Sequence, residues 1–163
     1  MFEKRQWTVI VRLNLVARPL ELPGRASYAG MVNGTMKRVL IVDDYPQIVM
    51  ILERKLRRHG YAVLTATSAH EGLEKARREQ PDVIVLDIRM PDMDGFEFLR
   101  RIRASADIPV IACSGSPEFA DRSLESGAKA FLGKPFDMER LQGLLEEFTA
   151  PRNKANDSPQ LTG

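Results

Sequence analysis

The chain has 163 residues, 44% apolar and 28% charged, which suits one domain with a sizeable core plus some tail. No stretch approaches the roughly 18 uninterrupted apolar residues of a membrane span. One cysteine, Cys113, excludes an internal disulfide and a cysteine-rich zinc site, and two histidines without nearby cysteines do not make a metal centre. That cysteine usage points to a reducing, cytoplasmic compartment. The formal charge of +2 is unevenly spread: residues 1–35 carry five basic and two acidic side chains, whereas residues 36–150 carry 17 and 19. The basicity belongs to the ends, and the central part has no nucleic-acid footprint.

Residues 1–35 show no regular scheme. "WTVIVRLNLVA" has β character but is interrupted by Arg12 and Asn14, and Pro, Gly and Ser dominate the stretch after it. It makes a poor signal peptide, with a broken apolar core and no good cleavage site. The expectation is a flexible N-terminal extension, with the domain over residues 36–150 and a disordered tail over 151–163.

From Lys37 the pattern is regular. "RVLIVDD" is a β-branched strand ending in Asp43 and Asp44. "PQIVMILERKLRRHG" places Ile48, Ile51, Leu52 and Leu56 at helical spacing, with Gly60 as the stop. "YAVLTATS" is a strand, and Ser68 with Glu71 forms a capping box for "AHEGLEKARRE". Val83–Asp87 is an apolar strand ending in a carboxylate, followed by the helix "GFEFLRRIRAS". "IPVIACS" is a strand leading to a poorer helix around "PEFADRSLES", closed by Gly127; "KAFLG" and "DMERLQGLLEEFT" complete the body. Strands alternate with helices five times, and three of the strands are apolar almost throughout. The fold class is therefore α/β, an open doubly wound parallel sheet.

In such a sheet the ligand site lies at the carboxyl ends of the strands. Those ends carry Asp43 and Asp44, Asp87, Ser114, and Lys134. Three carboxylates close together repel, and without compensation one or more binds a proton. A hard divalent cation removes the conflict; Mg²⁺ suits because it keeps waters and tolerates a phosphoryl oxygen. With Lys134 as a second positive charge, the set is suited to a phosphoryl group on a carboxylate oxygen.

The ordered set "IVDD", "VLDIRMPDMDG", Ser114 and "FLGKPF" resembles the receiver domain of two-component response regulators, over Lys37 to about Thr149. The resemblance implies a five-stranded sheet of flavodoxin-like order 2-1-3-4-5. It implies Asp87 as phosphoacceptor, with Asp43, Asp44, Asp87 and the Arg89 backbone carbonyl as Mg²⁺ ligands. Ser114 and Lys134 would bind the phosphoryl group, Phe131 would be the aromatic that turns inward with the switch, and Lys134-Pro135 would be a cis peptide. The implied partners are a histidine kinase or phosphotransfer protein and a downstream protein, with neither nucleic acid nor membrane; a phosphorylation-dependent homodimer is one form the output can take. Three departures stand out. The span from Ser114 to Lys134 is a couple of residues short, so the fourth helix is expected to be short or irregular. Gly133 stands where a Ser or Thr is common, and Arg89 and Ser116 occupy positions that influence phosphoryl loss.

Plainer roles exist for each residue. Asp43 or Asp44 can cap a helix, Asp92 and Asp94 read as turn formers, Phe131 as core, and Cys113 as buried and inert. The clusters Arg54, Lys55, Arg57, Arg58 and Arg100, Arg101, Arg103 read as solvated helix faces. Two other functions compete with a stand-alone phosphorylation switch. A Mg²⁺-dependent aspartyl-nucleophile phosphohydrolase would need a second acid after Asp87, where Ile88 and Arg89 stand. A receiver-like scaffold would not need the full acidic, hydroxyl and basic set.

Overall fold

The structure, a computed structural model, describes residues 10–11, 30–32 and 35–150. Its body is built from β1 (Arg38–Val42), α1 (Pro46–Arg58), β2 (Ala62–Ala66), α2 (Ala69–Glu79), β3 (Val83–Asp87) and α3 (Gly95–Ser105). It continues with β4 (Val110–Ser114), α4 (Ala120–Glu125), β5 (Ala130–Gly133) and α5 (Met138–Thr149). The five strands are parallel neighbours in the order β2-β1-β3-β4-β5, as the sequence led one to expect.

The sheet has a sixth member that the five-stranded expectation lacks. Ile10–Val11 pairs antiparallel with the outer edge of β5, opposite Phe131 and Ala130. A second piece of the N-terminal segment also meets the body: Met31–Val32 and Thr35–Met36 form a small antiparallel pair. The Gly30 N–H donates to the His59 carbonyl at 3.1 Å, and the Lys37 N–H to the Gly30 carbonyl at 2.6 Å. A Cβ on Gly30 would lie 2.3 Å from the Gly60 carbonyl oxygen, so only glycine fits this approach. Neither contact was readable from periodicity, because two-residue strands carry none. The tail 151–163 and Trp7 lie outside the described residues.

Alternation along the strands separates two cores. Leu40, Val42, Ile84 and Leu86 face α2, α3 and α4 together with Phe98 and Phe131. Val39, Ile41, Val83 and Val85 face α1 and α5 together with Leu56, Leu141 and Leu145. Both faces of β1, β3 and β4 are covered, which is why those strands read as apolar runs rather than alternating ones.

Local signals fix several helix ends. Ser68 Oγ accepts from the Glu71 N–H at 3.2 Å, while Glu71 Oε2 accepts from the Thr67 N–H at 2.9 Å, one residue before the cap. Asp94 caps α3 through the Phe96 N–H, and Asp137 caps α5 through the Arg140 N–H. The shortened fourth connection gives a 3₁₀ turn, Pro117–Phe119, followed by only six residues of α4, as the short span from Ser114 to Lys134 requires.

The core face of α1 differs from the expected one. Val49, Leu52 and Leu56 are buried, whereas Ile48, Met50 and Ile51 are exposed. The sequence offers apolar residues on two overlapping helical stripes, and packing selects the one a step away from Ile48 and Ile51. Urea unfolding distinguishes the stripes. Leu52→Ala is expected to cost about 2–5 kcal/mol, and Ile51→Ser to stay within about 0.5 kcal/mol.

Candidate functional site

Register brings the chemistry together. Val42 lies opposite Leu86, Asp87 opposite Cys113, and Ser114 opposite Gly133, so the residues at or just past these strand ends share one edge. At that edge the Lys134 Nζ donates to Asp43 Oδ2 at 2.6 Å and lies 3.3 Å from Asp87 Oδ1. Asp43 and Asp87 are buried, at 3% and 6% exposure, but Asp87 still lines an open cleft of about 850 Å³ with Lys134 and Arg89. The other Asp43 oxygen accepts from the Tyr45 N–H at 2.9 Å, fixing its carboxylate plane. Helix α1 itself starts without a side-chain cap, so capping does not account for the Asp43-Asp44 pair.

Asp44 completes the acidic group. One oxygen from each of Asp43, Asp44 and Asp87 falls within 4.8 Å of the others. Asp44 Oδ1 is buried without a hydrogen-bond partner, a costly arrangement unless something else satisfies it. Three neighbouring carboxylates, two of them paired with one ammonium and the third with a bare oxygen, fit a hard cation with oxygen ligands and Mg²⁺ chemistry. Arg89 follows two residues after Asp87; its backbone N–H donates to the Asp87 carboxylate.

Burial pushes Asp87 upward from its ordinary value; the Lys134 charge works the other way, and the Asp43 charge adds to the rise. Burial alone would lower Lys134, but its hydrogen bond to Asp43 and the charges of Asp87 and Asp43 leave it above its ordinary value. The ammonium therefore stays charged, and the group with the disfavoured charge is the buried carboxylate Asp87.

The loop beyond Asp87 is pinned at both ends. The Ile88 N–H donates to the Cys113 carbonyl at 2.9 Å and the Gly95 N–H to the Ile88 carbonyl at 3.2 Å. A Cβ on Gly95 would sit 2.7 Å from the Ile88 Cα, so the loop closes only over glycine. Asp92 accepts from the backbone N–H of His70 and pairs with its ring Nδ1 at 3.1 Å; with Asp94 capping α3, both are the turn formers expected. Lys134-Pro135 is cis.

Ser114 is fully buried, its Oγ accepting from the Ser116 N–H at 3.2 Å, and Gly115 is the residue after β4 that lines the cleft. Phe131 lies inward, 1% exposed among the α3-side core. Cys113 is buried, and burial raises its thiol to about 12, which makes it inert. Tyr45, Phe96, Phe119 and Arg122 are among the wall residues that escaped the sequence reading. Tyr45 and Phe96 could have been found from their places just after Asp44 and Gly95; Arg122, on the short α4, carries no sequence signal.

Such a sheet, with three carboxylates and one lysine at the carboxyl ends of its strands, defines a doubly wound α/β protein with an acidic pocket, and comparison with known proteins narrows it. The family model "Response regulator receiver domain" matches residues 39–146, and the chain belongs to that family. The probable transcriptional regulator ycf27 of Guillardia theta is 40% identical over 130 residues, 78% of this chain and 51% of that protein. The alkaline phosphatase synthesis transcriptional regulatory protein PhoP of Bacillus subtilis is 40% identical over 127 residues, 72% of this chain and 53% of that protein. The chain thus spans about half the length of these curated relatives. Among solved structures, the chemotaxis response regulator CheY4 of Vibrio cholerae matches at TM-score 0.65 and 36% identity, over 70% of this chain and 99% of that one. Receiver domains are signalling switches of two-component systems, and Mg²⁺ in the acidic pocket is consistent with the family. Among the described residues no helix is long and apolar enough to cross a membrane.

A raised Asp87 value has a stability consequence. The contribution of a carboxyl with a raised folded-state value is fully present below its unfolded value, near 3.8, and is lost as pH rises through the folded value. Asp87→Asn is therefore expected to raise Tm at pH 7, with the gain shrinking as the pH is lowered toward about 4. Lys134 keeps Asp43 as partner in that variant. A gain independent of pH, or a loss at neutral pH, contradicts the burial argument.

Proposed function

We propose that this protein is a phosphorylation-controlled switch that accepts a phosphoryl group on Asp87 from a histidine kinase or a phosphotransfer protein. The observation that carries the reading is the Lys134 ammonium, 2.6 Å from Asp43 and 3.3 Å from Asp87, beside a third carboxylate with an unpartnered buried oxygen. An Asp87 oxygen attacks phosphorus as the donor's P–N bond breaks, and the donor imidazole keeps the electron pair and takes a proton. Lys134 neutralises charge on the phosphoryl oxygens, while the Arg89 N–H holds the Asp87 carboxylate in place. Mg²⁺, when bound to Asp43, Asp44, Asp87 and the Arg89 carbonyl, supplies further charge neutralisation at the transferring group. In this reading Ser114 hydrogen-bonds the phosphoryl group, and Phe131, with no hydroxyl to draw it to solvent, stays inward in both states. The protein acts as a switch rather than as a turnover enzyme, because no acid stands two residues after Asp87.

A protein donor is supported by Tyr45, which lines the cleft, and by Ile48 and Ile51, exposed on the helix that Tyr45 precedes. The stand-alone form read from the sequence has the switch act on a separate protein, in the cytoplasm and without nucleic acid or membrane. A second reading comes from the relatives, which are named as transcriptional regulators and are about twice the matched length. In that reading the same switch controls transcription within a longer polypeptide. The mass of the protein isolated from its own cells separates the two.

Acetyl phosphate with Mg²⁺ is expected to add one phosphoryl group, seen by intact mass, and chelation of Mg²⁺ or Asp87→Asn is expected to abolish it. Equal labelling of the Asp87→Asn protein sinks the assignment of the acceptor. Many cycles of p-nitrophenyl phosphate hydrolysis per molecule would favour the hydrolase instead.

A further inference from the structure

The cleft beside Asp87 is far wider than a phosphoryl group requires, and its far wall is made by α4 and the turn before it. Arg122 projects from α4 with its guanidinium carbon 3.8 Å from the centroid of the Phe96 ring. The same guanidinium pairs with Asp94 Oδ2 at 3.6 Å. Phe119, just before α4, meets the same ring edge-on at 5.5 Å between centroids and 87° between planes. Phe96 is thus held between two residues of the α4 segment, while its own backbone N–H is fixed by Asp94.

The other end of this contact chain is the phosphoacceptor. Phe96 follows Gly95, which is locked to Ile88 by its N–H and by the absence of a Cβ, and Ile88 follows Asp87. The opposite strand end approaches from β4, where Ser114, Gly115 and Ser116 lead directly into the Pro117–Phe119 turn. A six-residue helix has little stability of its own, so its position depends on what it packs against. Helix α4 therefore stands between the loop after β3, to which Arg122 ties it, and the end of β4, to which its chain is joined.

We propose that Arg122 is a positioning residue that latches α4 onto Phe96 and Asp94 in the unphosphorylated protein, and that filling the Asp87 site shifts α4 against this latch. The latch rests on Asp87 being the phosphoacceptor. Drawing Ser114 toward a group on Asp87 moves the Gly115–Phe119 segment, whereas Phe96 stays with Ile88. The stacked guanidinium and the ion pair with Asp94 are the contacts that must slide. By linkage, whatever favours the unphosphorylated placement of α4 weakens binding at Asp87 by the same factor.

Removal of the latch is expected to tighten binding of the phosphoryl mimic beryllofluoride with Mg²⁺. Stacking and exposed pairing of this kind correspond to about threefold to tenfold. The test compares the full chain with Arg122→Ala and Arg122→Lys; the lysine keeps a charge for Asp94 but loses the planar stack, and its affinity is expected to fall between the other two. Hydrogen exchange of the α4 amides supplies a second readout: faster in Arg122→Ala without ligand, with α3 amides unchanged. A residue that merely supported the fold would not tighten binding. Equal affinity in all three proteins, or weaker binding in Arg122→Ala, overturns the latch. Failure of the unsubstituted protein to bind beryllofluoride with Mg²⁺ overturns the phosphoacceptor reading, and the latch with it.

Discussion

The contact between the Lys134 ammonium and the Asp43 and Asp87 carboxylates is what the rest of the arrangement serves. It joins residues 91 positions apart and spans the ends of β1, β3 and β5, so it forms only when all three strands are parallel and in register. A slip of one residue in β3 would turn Asp87 to the opposite face and put Leu86 in its place. The apolar residues on both sides of the sheet hold that register, because a shift would exchange the two cores as well. Burying two carboxylates is unfavourable, and one ammonium with good geometry offsets only part of it. Burial disfavours the charged form of Asp87, and the Lys134 charge works against that.

Around this contact the two flanking segments differ in how firmly they are held. The loop after β3 is closed by backbone hydrogen bonds, by a glycine that admits no Cβ, and by Asp92 and Asp94 turned onto the starts of α2 and α3. The segment after β4 has Ser114 bonded to Ser116, a 3₁₀ turn, and a helix too short to stand alone. The Asp87 site therefore has a wall closed by backbone bonds on one side and, on the other, the short segment that carries Phe119 and Arg122.

Most of this was legible from the chain, and the reasons are physical. Strands buried on both faces must be apolar throughout, so β1, β3 and β4 announce themselves, and a carboxylate ending each of two such strands has no packing rationale. Ser68 marks a helix start because an unpaired N–H needs an acceptor nearby. What stayed hidden lacked a period or a local cause. The pairing of Ile10–Val11 with β5 and the seating of Gly30 against Gly60 depend on tertiary contact alone. Ile48 and Ile51 were misplaced because α1 carries apolar residues on two overlapping stripes, and docking selects the one through Val49, Leu52 and Leu56. Arg122 was invisible for the same reason: nothing in "ADRSLE" tells that its third residue crosses to another helix.

The exposed stripe of α1 and the orphaned Asp44 oxygen have a common explanation in the division between stability and use. A sequence selected only for stability would place polar residues at positions 48 and 51 and would not seal a carboxylate oxygen away from any donor. Tyr45, exposed between Asp44 and the start of α1, also lines the cleft beside Asp87. The fold carries both departures because its two cores, packed on either side of the sheet, do not depend on them. The bare Asp44 oxygen offers itself to a cation and the exposed stripe presents an apolar surface, whereas the unpartnered Tyr61 hydroxyl and the exposed Met36 lie away from both.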